Sequence, residues 1–270
     1  MNFAPLRRAG VYVFLSLAAF ISVFPFYWMA VGSTNQSVDI VRGKLGFGGN
    51  LLVNFQHLMS QVDLYRVFGN SFLIAIISTV LTLAISSLAG YGFEMFRSRI
   101  RERIFELLLL LLSIPFAALM VPLFVMISRA QLTNTFTAVI LPGIASIFMI
   151  FYFRQATKAF PRELRDAARV DGLKEWQIFL YVYMPTMRST YAAATIIVFM
   201  NAWNNYLWPL IVLQTPDNKT ITLVISTLTA AYTPDYGVIL LTTVLATAPT
   251  LIIFFVLQRQ FVQGMLGAVK

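Results

Sequence analysis

No cysteine occurs in the 270 residues of this chain, histidine occurs once, and only 11% of the side chains are charged. The missing thiols exclude disulfides and thiol-ligated metals, although they do not identify a compartment. The shortage of charge excludes an ordinary soluble domain, in which about a quarter of residues are charged. What fills the gap is apolar: 59% of residues are hydrophobic and the mean hydropathy is +0.76.

Six apolar runs are long enough to cross a hydrocarbon core, which needs about 20 residues of helix. They lie near Val11–Val31, Ser71–Phe93, Ile104–Ile127, Phe136–Phe153, Tyr191–Leu213 and Val238–Leu257. A lipid-exposed backbone must satisfy its own hydrogen bonds, so the runs are expected to be helices. The fold class is therefore an all-α polytopic membrane protein, with residues 1–270 as a single transmembrane domain. The first run admits a second reading as a signal peptide, since Arg7 and Arg8 precede it and Met29-Ala30-Val31-Gly32 is small enough for cleavage. Its length exceeds the roughly 7–15 residues of a signal-peptide core, which favours an uncleaved span.

Lysine and arginine number 20 against 11 acids, a balance that in another setting points to nucleic acid. Its placement gives a simpler account. With the N-terminus inside, the cytosolic segments (1–10, 94–103, 154–190 and 258–270) carry 15 of the 20, and the outside segments (32–70, 128–135 and 214–237) carry 5. That is the positive-inside asymmetry for six spans with both termini cytosolic. No nucleic-acid partner is needed to explain it, and lipid is the partner the composition requires.

The spans themselves are almost free of charge: only Glu106 falls within them, near the cytosolic end of the third. Ion-coupled carriers keep ionisable groups at mid-membrane, and the absence counts against that class and against a channel with a charged ring. The one histidine, His57, falls in the external 32–70 segment, where a solvated role is expected. A neutral solute is favoured. No convincing internal repeat occurs, which weakens the case for a self-contained inverted-repeat carrier.

Polarity in the spans is amide, hydroxyl and aromatic. The fifth reads Phe199-Met200-Asn201-Ala202-Trp203-Asn204-Asn205-Tyr206-Leu207-Trp208-Pro209. Asn201, Asn204, Asn205 and Trp208 follow i, i+3, i+4, i+7 spacing and would share one helix face. Amides donate and accept as sugar hydroxyls do, and aromatic faces stack on pyranose rings, so these four residues are the candidate substrate pathway. Two other roles stay open: the asparagines bridging neighbouring helices, and the tryptophans forming an interfacial belt, which is favoured for Trp208. Pro115, Pro122, Pro142 and Pro249 each remove a backbone donor within a span and can kink it.

A charged island, Phe160 to Pro185, interrupts the apolar pattern. Pro161 suits the start of a helix, Glu163 its positive end, and Gly172 its left-handed termination. Leu164, Ala167, Ala168 and Asp171 would line one face and Arg162, Arg165 and Arg169 another. Beyond the glycine, Trp176, Phe179, Leu180 and Tyr183 recur as the stripe of a second helix ended by Pro185. An amphipathic surface anchor is one reading; the Ala-Ala face and interspersed acids favour docking to a soluble protein.

Within this island Asp166-Ala167-Ala168, two residues, Asp171-Gly172-Leu173, eight residues, Val182, Tyr183 and Met184-Pro185 resemble the EAA loop of ABC-importer permeases, which are binding-protein-dependent. The spacing is complete; Asp replaces Glu at 166, Leu replaces Ala at 173, Val replaces Ile at 182 and Met replaces Leu at 184. The six-span plan, the Trp203–Leu210 stretch and the ending from Gln258 to Lys270 are similar to the MalG-like carbohydrate subfamily. The resemblance implies a type I importer half that moves sugars, such as di- or oligosaccharides, in the bacterial cytoplasmic (inner) membrane. Asp166, Ala167, Ala168, Asp171, Gly172 and Pro185 would couple it to two cytosolic ATPase subunits that use the ATP. A second, MalF-like permease and an extracytoplasmic solute-binding protein would complete the complex, and the tail from Gly264 would reach toward the ATPase. The chain has no Walker A loop, so it is expected to be no enzyme, to have no ATPase site and to bind no cofactor of its own. A permease for a glycerol phosphate ester or an acidic oligosaccharide, and a stand-alone secondary carrier, are the competing readings.

Overall fold

The computed structural model describes residues 4–267, which form helices joined by short connections, with no strand among them. In chain order these are α1 (Ala4–Gly32), α2 (Ser37–Val41), α3 (Leu51–Gln61), α4 (Leu64–Met95), α5 (Arg99–Leu111), α6 (Phe116–Arg129), α7 (Phe136–Ile140) and α8 (Ile147–Thr157). There follow α9 (Arg162–Val170), α10 (Glu175–Ile178), α11 (Met184–Thr186), α12 (Arg188–Trp203), α13 (Leu207–Val212), α14 (Ile221–Thr229) and α15 (Tyr236–Gly267). The tail expected to reach an ATPase, Gly264 to Lys270, falls partly outside the described residues.

Three helices are individually long and apolar enough to cross a membrane: residues 10–32 of α1, α4, and residues 236–259 of α15. The third and fourth expected spans are each a bent pair. α5 and α6 meet at 102°, and α7 with its following 3₁₀ turn meets α8 at 43°. The prolines differ in effect. Pro115 and Pro142 sit at these two breaks, whereas Pro122 and Pro249 lie inside continuous helices. A proline cannot donate to the carbonyl four residues back. For Pro115 that carbonyl is Leu111, where α5 ends.

The fifth expected span is also interrupted. α12 stops at Trp203 and α13 begins at Leu207. Pro209 has no N–H for the Asn205 carbonyl, which accepts instead from the Thr222 hydroxyl at 3.0 Å.

The chain forms two compact units, one of residues up to 64 with 224–249, the other of residues 65–223 with those from 250 onward. In the first, Asn54 is buried and its amide donates to the carbonyls of Ser33 (2.8 Å) and Asn35 (3.1 Å). Asp235 caps α15, accepting from Gly237 and Val238 backbone N–H groups and from the Ser37 hydroxyl. His57 is half-exposed, with Nδ1 3.6 Å from the Asp235 carboxylate. Residues 29–32, the possible cleavage site, are in the last turn of α1, and Val31 is fully buried.

The second unit carries both candidate sites. A Cβ on Gly90 would lie 2.7 Å from the Arg154 nitrogen and from Phe153 Cβ, so only glycine lets α4 and α8 approach this closely. Arg154 is buried there and is paid for by neighbours. It donates to both oxygens of Glu102 at 2.6 and 2.7 Å, lies 4.0 Å from the Phe105 ring centroid, and has Glu94 3.6 Å away. Arg97 pairs with the same Glu94.

Candidate functional site

The charged island folds as a helical hairpin. Pro161 stands just before α9, Glu163 is in its first turn, and Gly172 takes φ +83°. The Leu173 N–H reaches the Ala168 carbonyl and the Gly172 N–H that of Arg169, each at 3.0 Å. These two bonds make a Schellman termination, which requires the left-handed residue that glycine supplies.

The faces differ from the expected ones. Ala168 is buried, whereas Asp166, Ala167 and Asp171 are exposed beside Val170 and Leu164. Successive helical residues are about 100° apart, so one alanine packs inward while its neighbour stays outside. The second stripe is split as well: Phe179 and Tyr183 are buried with Ile178, but Trp176 and Leu180 are exposed. The helix widens into π-type turns over Phe179–Tyr183, which rotates its phase. Pro185 does not end it. Helical backbone continues as α11, the chain bends at Met187 (φ −91°, ψ 18°), and α12 starts at Arg188.

Sequence reasoning missed the residue that holds the hairpin together, Glu175. It begins α10 and accepts from Arg165 at 2.9 and 3.3 Å, from Arg169 at 3.0 Å and from the Tyr91 hydroxyl at 3.2 Å. Desolvation alone would weaken the charge on Arg165, but the bonds to Glu175 outweigh it and raise the guanidinium pKa. The Arg165 guanidinium also lies 5.0 Å from the centre of the Phe96 ring. Below this knot Tyr91, Phe160, Phe179, Tyr183 and Met187 form a buried cluster that joins the hairpin to α4. Burial raises the Tyr183 phenol above its ordinary pKa, and its hydroxyl shares a 2.6 Å hydrogen bond with Thr157 of α8. The hairpin is thus joined to α4 and α8 through side chains on both. Opposite charges ten residues apart across a predicted glycine turn were the available signal for Arg165 and Glu175.

The asparagine stretch is brought together differently from the expected single face. Asn201 is in the last turn of α12, Asn204 caps it, and Asn205 stands in the break. The side-chain nitrogens of Asn201 and Asn204 donate to carbonyls four residues back, Ile197 at 2.8 Å and Met200 at 2.9 Å. These bonds stay within α12 and do not bridge helices. All three asparagines line an open concavity of about 840 Å³ with Phe116, Met200 and Tyr206. Asn201 and Asn205 also line a second cavity of about 350 Å³.

Trp208 lies apart from both. It is 1% exposed, its ring nitrogen donates to the Ala138 carbonyl at 2.8 Å, and Phe116 packs edge-on at 6.1 Å. The α12 helix ends before Trp208, so the i+7 relation to Asn201 does not hold. A buried, hydrogen-bonded indole is not an interfacial belt residue either.

Residues 83–267 match the family described as "Binding-protein-dependent transport system inner membrane component". The lactose transport system permease protein LacG of Rhizobium radiobacter is 64% identical over 96% of this chain and 95% of its own. The arabinooligosaccharides transport system permease protein AraQ of Halalkalibacterium halodurans is 40% identical over 93% and 92%. Among solved structures, a chain of a bacterial ABC transporter involved in the import of the acidic polysaccharide alginate superposes with TM-score 0.86 at 17% identity. That match covers 97% of this chain and 98% of the other, a likeness of fold. The all-α architecture, the EAA-type hairpin and these matches place the chain in the binding-protein-dependent inner membrane components, the permeases of ABC importers, with the type I importer fold.

Proposed function

We propose that this chain is the transmembrane permease subunit of an ATP-driven importer of neutral sugars, in the size range of di- and oligosaccharides. The observation that carries the coupling half of this reading is the hairpin geometry. Asp166, Ala167, Val170 and Asp171 are exposed on a helix whose end is fixed by Gly172 and whose base is tied to α4 through Glu175. This face is the surface for a cytosolic ATPase, with Ala168 packed beneath it and Pro185 exposed in α11 at the far end of the hairpin. Two ATPase subunits bind and hydrolyse the ATP; the permease has no ATPase site and binds no cofactor. A second, MalF-like permease completes the pathway and an extracytoplasmic binding protein delivers the solute. Six segments cross the membrane within one permease domain, α12 with α13 being the fifth, and both termini are cytosolic.

The substrate half rests on Asn201, Asn204 and Asn205, which present amide groups to the open concavity, and on Trp208, which holds the α13 segment in place. The sugar-transport names of these two relatives support the class. Among the described residues no charged side chain lines either asparagine-walled cavity, which favours a neutral sugar over a phosphate ester or an acidic glycan.

Reconstitution with an ATPase pair, partner permease and binding protein in proteoliposomes tests this reading. ATP-dependent lactose uptake that needs all components is the expected result. Uptake by this chain alone down a solute or proton gradient would overturn it in favour of a secondary carrier.

A further inference from the structure

The cavity of about 350 Å³ behind the asparagine wall lies at the break of the fourth expected span, between α4, the α7–α8 junction and the end of α12. Its size is at the lower end of the about 300–1,000 Å³ typical of small-molecule sites. Ser78 and Thr82 of α4, Ser146 at the start of α8, and Asn201 and Asn205 supply its polar groups. Interrupted helices are where transporters place their substrate groups, because the break exposes backbone polarity inside the protein.

We infer that this cavity is a second, internal site of the permease that takes one glycosyl unit of a neutral saccharide, distinct from the open concavity with which it shares Asn201 and Asn205. The inference rests on the sugar-import reading above. Three hydroxyls and two amides all donate and accept, which matches a polyol and offers no counter-charge to an ion. The Thr82 hydroxyl makes only a long 3.5 Å bond to the Gly143 carbonyl, a contact a sugar hydroxyl can replace. Ser146 caps α8 by accepting from the Met149 N–H at 3.4 Å, so it stands among the first-turn N–H groups of that helix. Phe148 and Met149 give the cavity an apolar wall suited to the hydrophobic face of a pyranose. An acyl chain would leave five polar side chains facing hydrocarbon, which is costly.

The absence of cysteine makes a direct test available. S78C and S146C, each a one-atom change, are placed singly in the full complex with cysteine-free partner subunits, and alkylation by N-ethylmaleimide is followed with and without lactose. Lactose is expected to slow alkylation at both positions severalfold, and not at T229C, a control on the exposed end of α14. Alkylation that lactose leaves unchanged, or no alkylation at all, in a complex whose parent imports lactose would overturn the internal site. Absence of uptake by the parent complex itself would instead remove the import reading on which the site depends, and the two failures are separated by the uptake assay.

Discussion

The indole nitrogen of Trp208 donates to the carbonyl of Ala138, the group that Pro142 leaves without a helical donor. The Asn205 carbonyl stands in the same relation to Pro209 and is satisfied by Thr222. Two proline breaks are thus closed by side chains from elsewhere in the same unit, so that broken spans hold a defined shape.

Trp208→Phe keeps an aromatic side chain, smaller than the indole, but leaves the Ala138 carbonyl buried without its donor. The expected cost is about 1–3 kcal/mol of stability, read as a lower melting temperature and a lower yield of assembled complex. Asn204→Ala, at an exposed cap facing the open concavity, should leave assembly intact and reduce uptake. Equal loss of assembly in both variants would assign Asn204 to the scaffold.

Glu175→Gln removes the charge on which Arg165, Arg169 and Tyr91 converge. The hairpin should still form, because the Schellman bonds and the aromatic cluster remain. Its tie to α4 should loosen, so that ATP hydrolysis by the complex persists while sugar moved per ATP falls. An unchanged transport-to-hydrolysis ratio would deny Glu175 a part in transmission.

Gly172→Val forces a β-branched residue into φ +83°, at a cost of roughly 1–2 kcal/mol. The turn after Val170 should open and the exposed face of α9 lose its fixed position. Co-purification of the ATPase subunits is expected to fall together with uptake. Retention of both would place the docking surface elsewhere.

The hydrogen bonds from Arg154 hold the Glu102 carboxyl below its ordinary value of 4.5. A depressed carboxylate stabilises the fold above its unfolded pKa and loses that contribution as pH falls through the depressed value. The melting temperature of the native complex should therefore exceed that of Glu102→Gln from neutral pH down to about 5. The difference should shrink only in stronger acid. A difference that vanishes between neutrality and about pH 6 would contradict this pairing.

Much of the architecture was legible along the chain. Apolar runs of about 20 residues give helices because lipid forces each such segment to satisfy its own backbone polar groups. Gly172 was readable as a helix end, since left-handed backbone suits glycine. The face assignments were less so. Helical spacing put Asn201 and Trp208 on one face, but spacing holds only while a helix continues, and Pro209 ended that regularity. The stripe from Trp176 to Tyr183 shifted phase for a related reason, in the wide turns ahead of Pro185.

The sequence by itself determined the membrane class, the helical hairpin between Phe160 and Pro185, and the family to which its spacing belongs. These depend on composition and on separations of a few residues, which local geometry converts directly into structure. Only the tertiary structure decided that Glu175 is the knot of the hairpin, that Ala168 is inside and Ala167 outside, and that Trp208 serves Ala138. It alone walled a cavity with Ser78, Ser146 and Asn201. Those partners come from helices distant in sequence, and a side chain's partner across such a distance is chosen by packing, which no local pattern encodes.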